Sequence, residues 1–287
     1  MTASAVRPKW YSLLRLMRPK QWVKNTFVLA PLVFAREYLD PAAVANALVA
    51  FGLFCLASSA TYVLNDLHDI ESDRRHPIKQ WARPLAAGLV APQEATVLLV
   101  LLYAALGLGL LLQPATSLVI LGYVALNLLY TYVLKDQPVV DLFVIAIGFV
   151  LRVYAGAVAL SVPLSSWMAI TTLCLALYLA AIKRRQELDS SGEGARDVLA
   201  RYSVPLIDRY AEMSATGALV FYSLFVISTQ PKMVITIPLV IFGLFRYWYV
   251  VEQHKEGESP TDVLLTDFPL GLTILAWSGA CLWALWP

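Results

Sequence analysis

The sequence is poor in charge, cysteine and histidine. Only 15% of its 287 residues are charged and 59% are apolar, against about 25% and 45–50% in an ordinary soluble domain. That imbalance excludes a soluble globule. Three cysteines, Cys55, Cys174 and Cys281, stand singly in apolar runs, with no C-x-x-C pair and no histidine three or four residues away. This excludes a disulfide framework and a zinc site of familiar spacing, and leaves the cysteines as small core residues. The basic, aromatic start of the chain, MTASAVRPKWYSLLRLMRPKQW, lacks the apolar stretch and small-residue cleavage site of a signal peptide. Insertion is therefore expected to fall to the first internal span.

What the chain has is hydrophobic length. Mean hydropathy is +0.65, and uncharged runs such as 41–64 reach the roughly 20 residues that cross a hydrocarbon core. Breaking the pattern at charges, prolines and glycines predicts nine helices, over 22–39, 42–64, 93–112, 115–134, 138–160, 164–184, 211–230, 232–252 and 266–286. The expected fold class is all-α, a polytopic membrane bundle of about nine transmembrane helices around a cytoplasm-facing cavity. The whole chain, 1–287, reads as a single integral membrane domain. Three connections, about 65–92, 185–210 and 253–265, are long and charged, and all fall on one side. Of the 22 Lys and Arg residues, 19 lie on the face that holds the N-terminus; Arg36 and Lys232 lie opposite, and Arg152 lies inside the fifth span. The positive-inside rule then places the N-terminus and the long loops in the cytoplasm, in a multi-pass protein of the cell (inner) membrane. A net charge of +2 conceals this asymmetry.

The densest polar chemistry follows the second span. Asn65, Asp66, Asp69 and Asp73 fall at i, i+1, i+4 and i+8, one stripe of a helix. Three carboxylates a turn apart repel one another unless a cation lies between them, and hard oxygen ligands select Mg²⁺, which is commonly shared with substrate phosphates. Pro77 breaks the helix, and Lys79 and Arg83 follow within reach of an anion. A merely solvated acidic loop is the alternative. His68 and His76 are a poor zinc pair, because carboxylates dominate here and no cysteine is near.

Asn65-Asp66-x-x-Asp69-x-x-x-Asp73 after the second of nine spans resembles the first aspartate-rich motif of the UbiA superfamily of intramembrane prenyltransferases. The resemblance runs through the whole topology, from Arg18-Pro19-Lys20-Gln21-Trp22 onward. It implies a helical cavity open to the cytoplasm, in which Mg²⁺ held by Asp66, Asp69 and Asp73 binds a diphosphate. Members of that superfamily usually carry a second acidic motif after the sixth span. Here the sequence places Lys183-Arg184-Arg185 there, with Glu187, Asp189, Arg196, Arg201 and Arg209 beyond. A carboxylate cluster facing cations suits a ligand with more phosphate than one metal-bound diphosphate, although a positive-inside flank would look alike. Arg152 is an intramembrane charge, a functional-site hypothesis by default, with structural pairing to a neighbouring helix as the other reading.

These departures resemble one branch, the decaprenyl-phosphate phosphoribosyltransferases. The branch resemblance rests on His76-Pro77-x-Lys79-x-x-x-Arg83-Pro84, Leu134-Lys135, Asp141, Gly148 to Arg152, Lys183 to Leu188, and Asp262 to Asp267. It implies transfer of phosphoribose from 5-phosphoribosyl-1-diphosphate (PRPP) to a polyprenyl phosphate, with Mg²⁺ as cofactor. Asp66, Asp69 and Asp73 then hold the metal, and Asn65 donates a hydrogen bond. Lys24, Lys79, Arg83, Tyr130, Lys135, Asp141, Arg152, Lys183, Arg184 and Arg185 are the candidates for contacts to the two phosphorylated substrates. The loop 253–267 is a candidate lid, with Asp262 and Asp267 as possible contacts. The lipid phosphate already carries charge and needs alignment more than deprotonation, so no dedicated general base is required. The partners expected are PRPP, the polyprenyl phosphate and the bilayer, with no nucleic acid; a homo-oligomer leaves no clear mark on the sequence. Two rival readings are an aromatic prenyltransferase using a prenyl diphosphate and a non-catalytic polyprenyl-phosphate carrier. The first predicts acidic residues where Lys183-Arg184-Arg185 stands, and the second leaves the aspartate stripe unexplained.

Overall fold

Proline stands in the first turn of most of the long helices, because its fixed φ and missing N–H suit that position. The computed structural model describes residues 8–190, 199–253, 263 and 266–286. A short amphipathic helix, α1 (Lys9–Met17), precedes a tightly wound 3-10 segment, Pro19–Leu29, and a five-residue α2 (Ala30–Phe34). The bundle follows as α3 (Pro41–His68), α4 (Ile70–Arg75), α5 (Lys79–Ala82), α6 (Pro92–Leu112), α7 (Pro114–Tyr132), α8 (Val140–Ala159), α9 (Ser166–Ser190), α10 (Val204–Thr229), α11 (Ile237–Gln253) and α12 (Phe268–Ala284). Asp40 caps α3 by accepting from Ala42 and Ala43 N–H at 3.0 and 3.3 Å, and Asp267 caps α12 through Leu270 N–H at 2.8 Å.

Seven stretches among the described residues are helical, long and apolar enough to cross a membrane; α12, with 17 residues, is shorter. Large apolar side chains on α6 and α7 point outward, Leu111 at 81% and Leu118 at 65% exposure. Such an apolar surface suits a multi-pass membrane protein and no aqueous one.

The predicted first span, 22–39, is not one helix. It is the 3-10 segment to Leu29, then α2, then a left-handed turn at Arg36 (φ 64°). The predicted ends 184 and 211 also move: α9 runs on to Ser190 and α10 starts at Val204. Charges end a hydrophobic window without ending a helix, since Lys, Arg, Gln and Glu are good helix formers. Likewise α3 runs four residues past the predicted end at 64, so Asp66 is helical.

α3 packs on α6, α7 and α8, and α9 lies along both α8 and α10. The 3-10 segment is wedged between α3 and α8. Its closest approach is at Gly156, where a Cβ would stand 1.9 Å from the carbonyl oxygen of Val28 and 3.2 Å from Pro31 Cδ. Because the first obstacle is backbone, Gly156→Ala is expected to push the segment off α8 and to cost about 1–3 kcal/mol. A thermal unfolding midpoint in detergent equal to that of the wild type would contradict this packing.

Candidate active site

The aspartate stripe and its cations meet at one end of the bundle. Asp66 lies on the last turn of α3, 1% exposed, and Asp73 on α4, 3% exposed. Asp69 ends α3 with non-helical backbone (φ −95°, ψ 11°), so the stripe spans two helices rather than one. Asp66 Oδ1 accepts from Arg18 at 2.5 Å and from Arg83 at 2.9 Å, and the same Arg83 Nη1 reaches Asp73 Oδ2 at 2.5 Å. Lys135, in the turn after α7, donates to Asp69 Oδ1 at 3.2 Å. Three carboxylates thus face three cations contributed by separate parts of the chain.

Arg18 is a site residue that the motif reading missed. It has left-handed backbone (φ 54°, ψ 60°) and its guanidinium lies 4.8 Å over the Tyr62 ring. A non-glycine residue in that region costs of order 1 kcal/mol and marks a place that the surroundings dictate. The signal in the sequence is an arginine directly before proline at the entry to a span.

The structure does not bring Lys183, Arg184 and Arg185 to one face. Successive helical residues turn by about 100°, and these three part company accordingly. Lys183 Nζ lies 3.6 Å from Glu187 on the half-exposed side of α9. Arg185 turns to Asp208 on α10 and Glu252 on α11, each at 2.7 Å. Arg184, 2% exposed, turns inward: Nε meets Asp141 Oδ2 at 2.7 Å, Nη2 donates to Tyr130 OH at 3.1 Å, and Nη1 pairs with Glu187. Asp141, fully buried at the start of α8, accepts at Oδ1 from Tyr202 OH at 2.7 Å. Burial pushes the Tyr202 hydroxyl above its ordinary pKa, so it stays a donor. The same hydroxyl accepts the Val139 N–H at 2.5 Å, which holds a β-branched residue at φ 69°.

Arg152 is buried about 18 Å along α8 from Val140 by helical rise, and it meets no carboxylate among the described residues. Its Nε donates to Asn25 Oδ1 at 2.9 Å, Nη1 to the Gly148 carbonyl at 2.8 Å and Nη2 to Tyr123 OH at 3.1 Å. Phe54, Tyr123 and Phe149 surround the guanidinium with ring centroids 4.9–5.2 Å away. An arginine at a helix centre costs about 2.5–3.5 kcal/mol to insert. Desolvated cation–π contacts return up to about 2 kcal/mol each, so three rings and three hydrogen bonds account for a cation without a counter-charge.

The remaining predicted residues flank these clusters. Asn65 is half-buried beside Asp66, and Lys24 is half-buried on the 3-10 segment. Lys79 opens α5. Asp262 lies outside the described residues. Asp267 is occupied as the α12 cap and as a two-pronged partner of Arg246, at 3.1 and 2.8 Å. His76 is a turn-former rather than a ligand: its Nδ1 accepts the N–H groups of Ile78 and Lys79 at 3.2 and 3.4 Å. Partial burial, then the neighbouring Lys79, lower its pKa. Below the ordinary value of about 6.5 the unfolded chain takes up a proton that the folded turn resists, so this contribution is whole above that pH and fades beneath it. The stability gap between wild type and His76→Ala is expected to be about 1 kcal/mol at pH 7.5 and to narrow by pH 5.5. Unfolding in detergent at the two pH values checks this, and a constant gap would contradict it.

Among the described residues no three His, Cys, Asp or Glu side chains converge as a ready metal cluster. The aspartates are turned to Arg18, Arg83 and Lys135 instead. The donors nonetheless suit a hard divalent cation at Asp66, whose Oδ2 is buried with no hydrogen-bond partner, with Asp73 the neighbour across Arg83.

Residues 26–265 match the UbiA prenyltransferase family. The chain is 35% identical to the decaprenyl-phosphate phosphoribosyltransferase of Mycolicibacterium smegmatis, over 93% of this chain and 90% of that one. It is 34% identical to the protein of the same name from Corynebacterium glutamicum, over 92% and 84%. Among solved structures, a UbiA homologue from Archaeoglobus fulgidus bound to GPP and Mg²⁺ superposes with a TM-score of 0.72 at 17% identity, covering 96% of this chain and 99% of that one. The fold, the buried aspartates at one end of the bundle and these matches lead to one conclusion: the chain belongs to the UbiA prenyltransferase family.

Proposed function

We propose that this protein transfers the 5-phosphoribosyl group of PRPP to a polyprenyl phosphate and releases diphosphate. The observation that carries the reading is Asp66, buried at the end of an apolar bundle between Arg18 and Arg83, with Asp73 sharing Arg83. Anionic and cationic groups alternate there, as recognition of a metal-bound diphosphate requires. The names of the relatives support the choice of donor and acceptor.

In this reading the bond from ribose C1 to the diphosphate oxygen breaks and a bond from C1 to a lipid phosphate oxygen forms. No proton is transferred, because the attacking phosphate is already an anion. Positive charge grows at C1 in an oxocarbenium-like transition state, of the kind glycosyl transfer passes through, and the buried carboxylates favour it. Arg18, Arg83 and Lys135 exchange carboxylate partners for phosphate oxygens, and Lys24 and Lys79 lie in the flanking segments. A Mg²⁺ ion held by Asp66 and Asp73, with Asp69 beside them, would supply neutralisation of the charge on the departing diphosphate. The site faces the cytoplasm in this reading, since the charged connections on its side of the bundle carry most of the 22 basic residues. The prenyl chain lies among the apolar helices.

The experiment is an assay in nanodiscs with PRPP labelled in the ribose, a polyprenyl phosphate and Mg²⁺. A labelled lipid that disappears on chelation is the expected product, and the absence of any labelled lipid with a series of chain lengths would refute the reading.

A further inference from the structure

Asn25, Trp22 and Val28 recur at intervals of three. On a 3-10 helix three residues complete a turn, so in the segment Pro19–Leu29 they share one edge; an α-helix would spread them over about 120°. Each meets a fixed partner on that edge. Trp22 Nε1 donates to Ser59 Oγ at 3.0 Å, and Ser59 Oγ in turn donates to the Met17 carbonyl at 3.0 Å. Asn25, fully buried, donates to Ser58 Oγ at 3.0 Å and to Cys55 Sγ at 3.3 Å while its Oδ1 accepts from Arg152. Val28 is buried with Phe54 and Ala155, and its carbonyl oxygen is what lies against Gly156. An eleven-residue 3-10 run is unusual in itself, and here its winding matches the spacing of what it must touch. Arg18 is the residue at its mouth, with left-handed backbone and its guanidinium on Asp66.

We infer that Arg152 is a positioning residue: by holding Asn25 from α8 it keeps the segment Pro19–Leu29 tightly wound, and so sets Arg18 against Asp66. Its aromatic cage leaves the fork of three donors pointed at Asn25, Gly148 and Tyr123, so the side chain acts on the protein and not on a ligand. The inference rests on the proposed reaction only for its substrate readout.

Two variants separate positioning from charge. Arg152→Lys keeps the cation but loses the planar fork that reaches three acceptors. Asn25→Ala leaves the cage intact and removes the tie, and it carries the test if the lysine variant does not fold. Hydrogen exchange over residues 20–29 is expected to quicken about tenfold in both, with α10 unchanged, as local opening of a single unit. The KM for PRPP is expected to rise about tenfold in Arg18→Gln and to rise no further in Arg18→Gln/Arg152→Lys or Arg18→Gln/Asn25→Ala, the non-additivity expected of residues acting through one contact. Wild-type exchange rates in both variants, or KM effects that multiply, would overturn the inference. Failure of wild-type protein to bind PRPP counts against the proposed reaction, and the exchange comparison then decides the inference alone.

Discussion

Asn in place of Asp66 is expected to lower phosphoribosyl transfer by about 10³-fold or more, a loss of some 4 kcal/mol of transition-state stabilisation, in a protein that still folds. The side chain is nearly isosteric and can still accept from Arg18 and Arg83. It loses the negative charge that would hold a divalent cation through the unpartnered Oδ2 and would favour positive charge at ribose C1. Because two arginines are left facing a neutral group, some destabilisation accompanies the change. Turnover is therefore to be expressed per folded molecule, with helical circular dichroism as the control. Turnover within about threefold of wild type would remove Asp66 from the chemistry.

Asp141→Asn is expected to act on stability instead, with a loss of about 3 kcal/mol, near the low end for breaking a buried ion pair because Glu187 still pairs with Arg184. Asp141 and Arg184 are essentially without exposure, and Asp141 also anchors Tyr202. Adding Arg184→Gln is expected to recover part of that loss, since the pair removed together no longer buries a guanidinium that has lost its Asp141 carboxylate. Chemical or thermal unfolding in detergent measures both. A single variant as stable as wild type would show that the contact between α8 and α9 contributes nothing.

The aspartate stripe was legible because helical period alone puts Asp66 and Asp73 near each other, and the break at Asp69 does not part them: Arg83 bridges both. The long apolar helices were legible from hydropathy. The partners of the cations were not. Lys183, Arg184 and Arg185 are adjacent in sequence, yet the helical turn parts them: Lys183 and Arg184 share Glu187, Arg185 turns to Asp208 and Glu252, and the buried carboxylate that also holds Arg184, Asp141, lies 43 residues away. Nor was the winding of Pro19–Leu29, because a 3-10 run is decided by tertiary contacts with Ser59, Ser58, Arg152 and Gly156 and by no local propensity. Arg152 looked like a charge awaiting a ligand or a carboxylate, and the rings that hold it come from α3, α7 and α8.

Which group is transferred is decided by a side-by-side donor assay. Protein in nanodiscs with Mg²⁺ receives ribose-labelled PRPP with a polyprenyl phosphate in one arm, and a labelled prenyl diphosphate with an aromatic acceptor in the other. Phosphoribosyl transfer predicts a ribose-labelled lipid in the first arm, abolished by Asp66→Asn, and no prenylated aromatic product in the second. A prenylated aromatic product with no ribose-labelled lipid would contradict it.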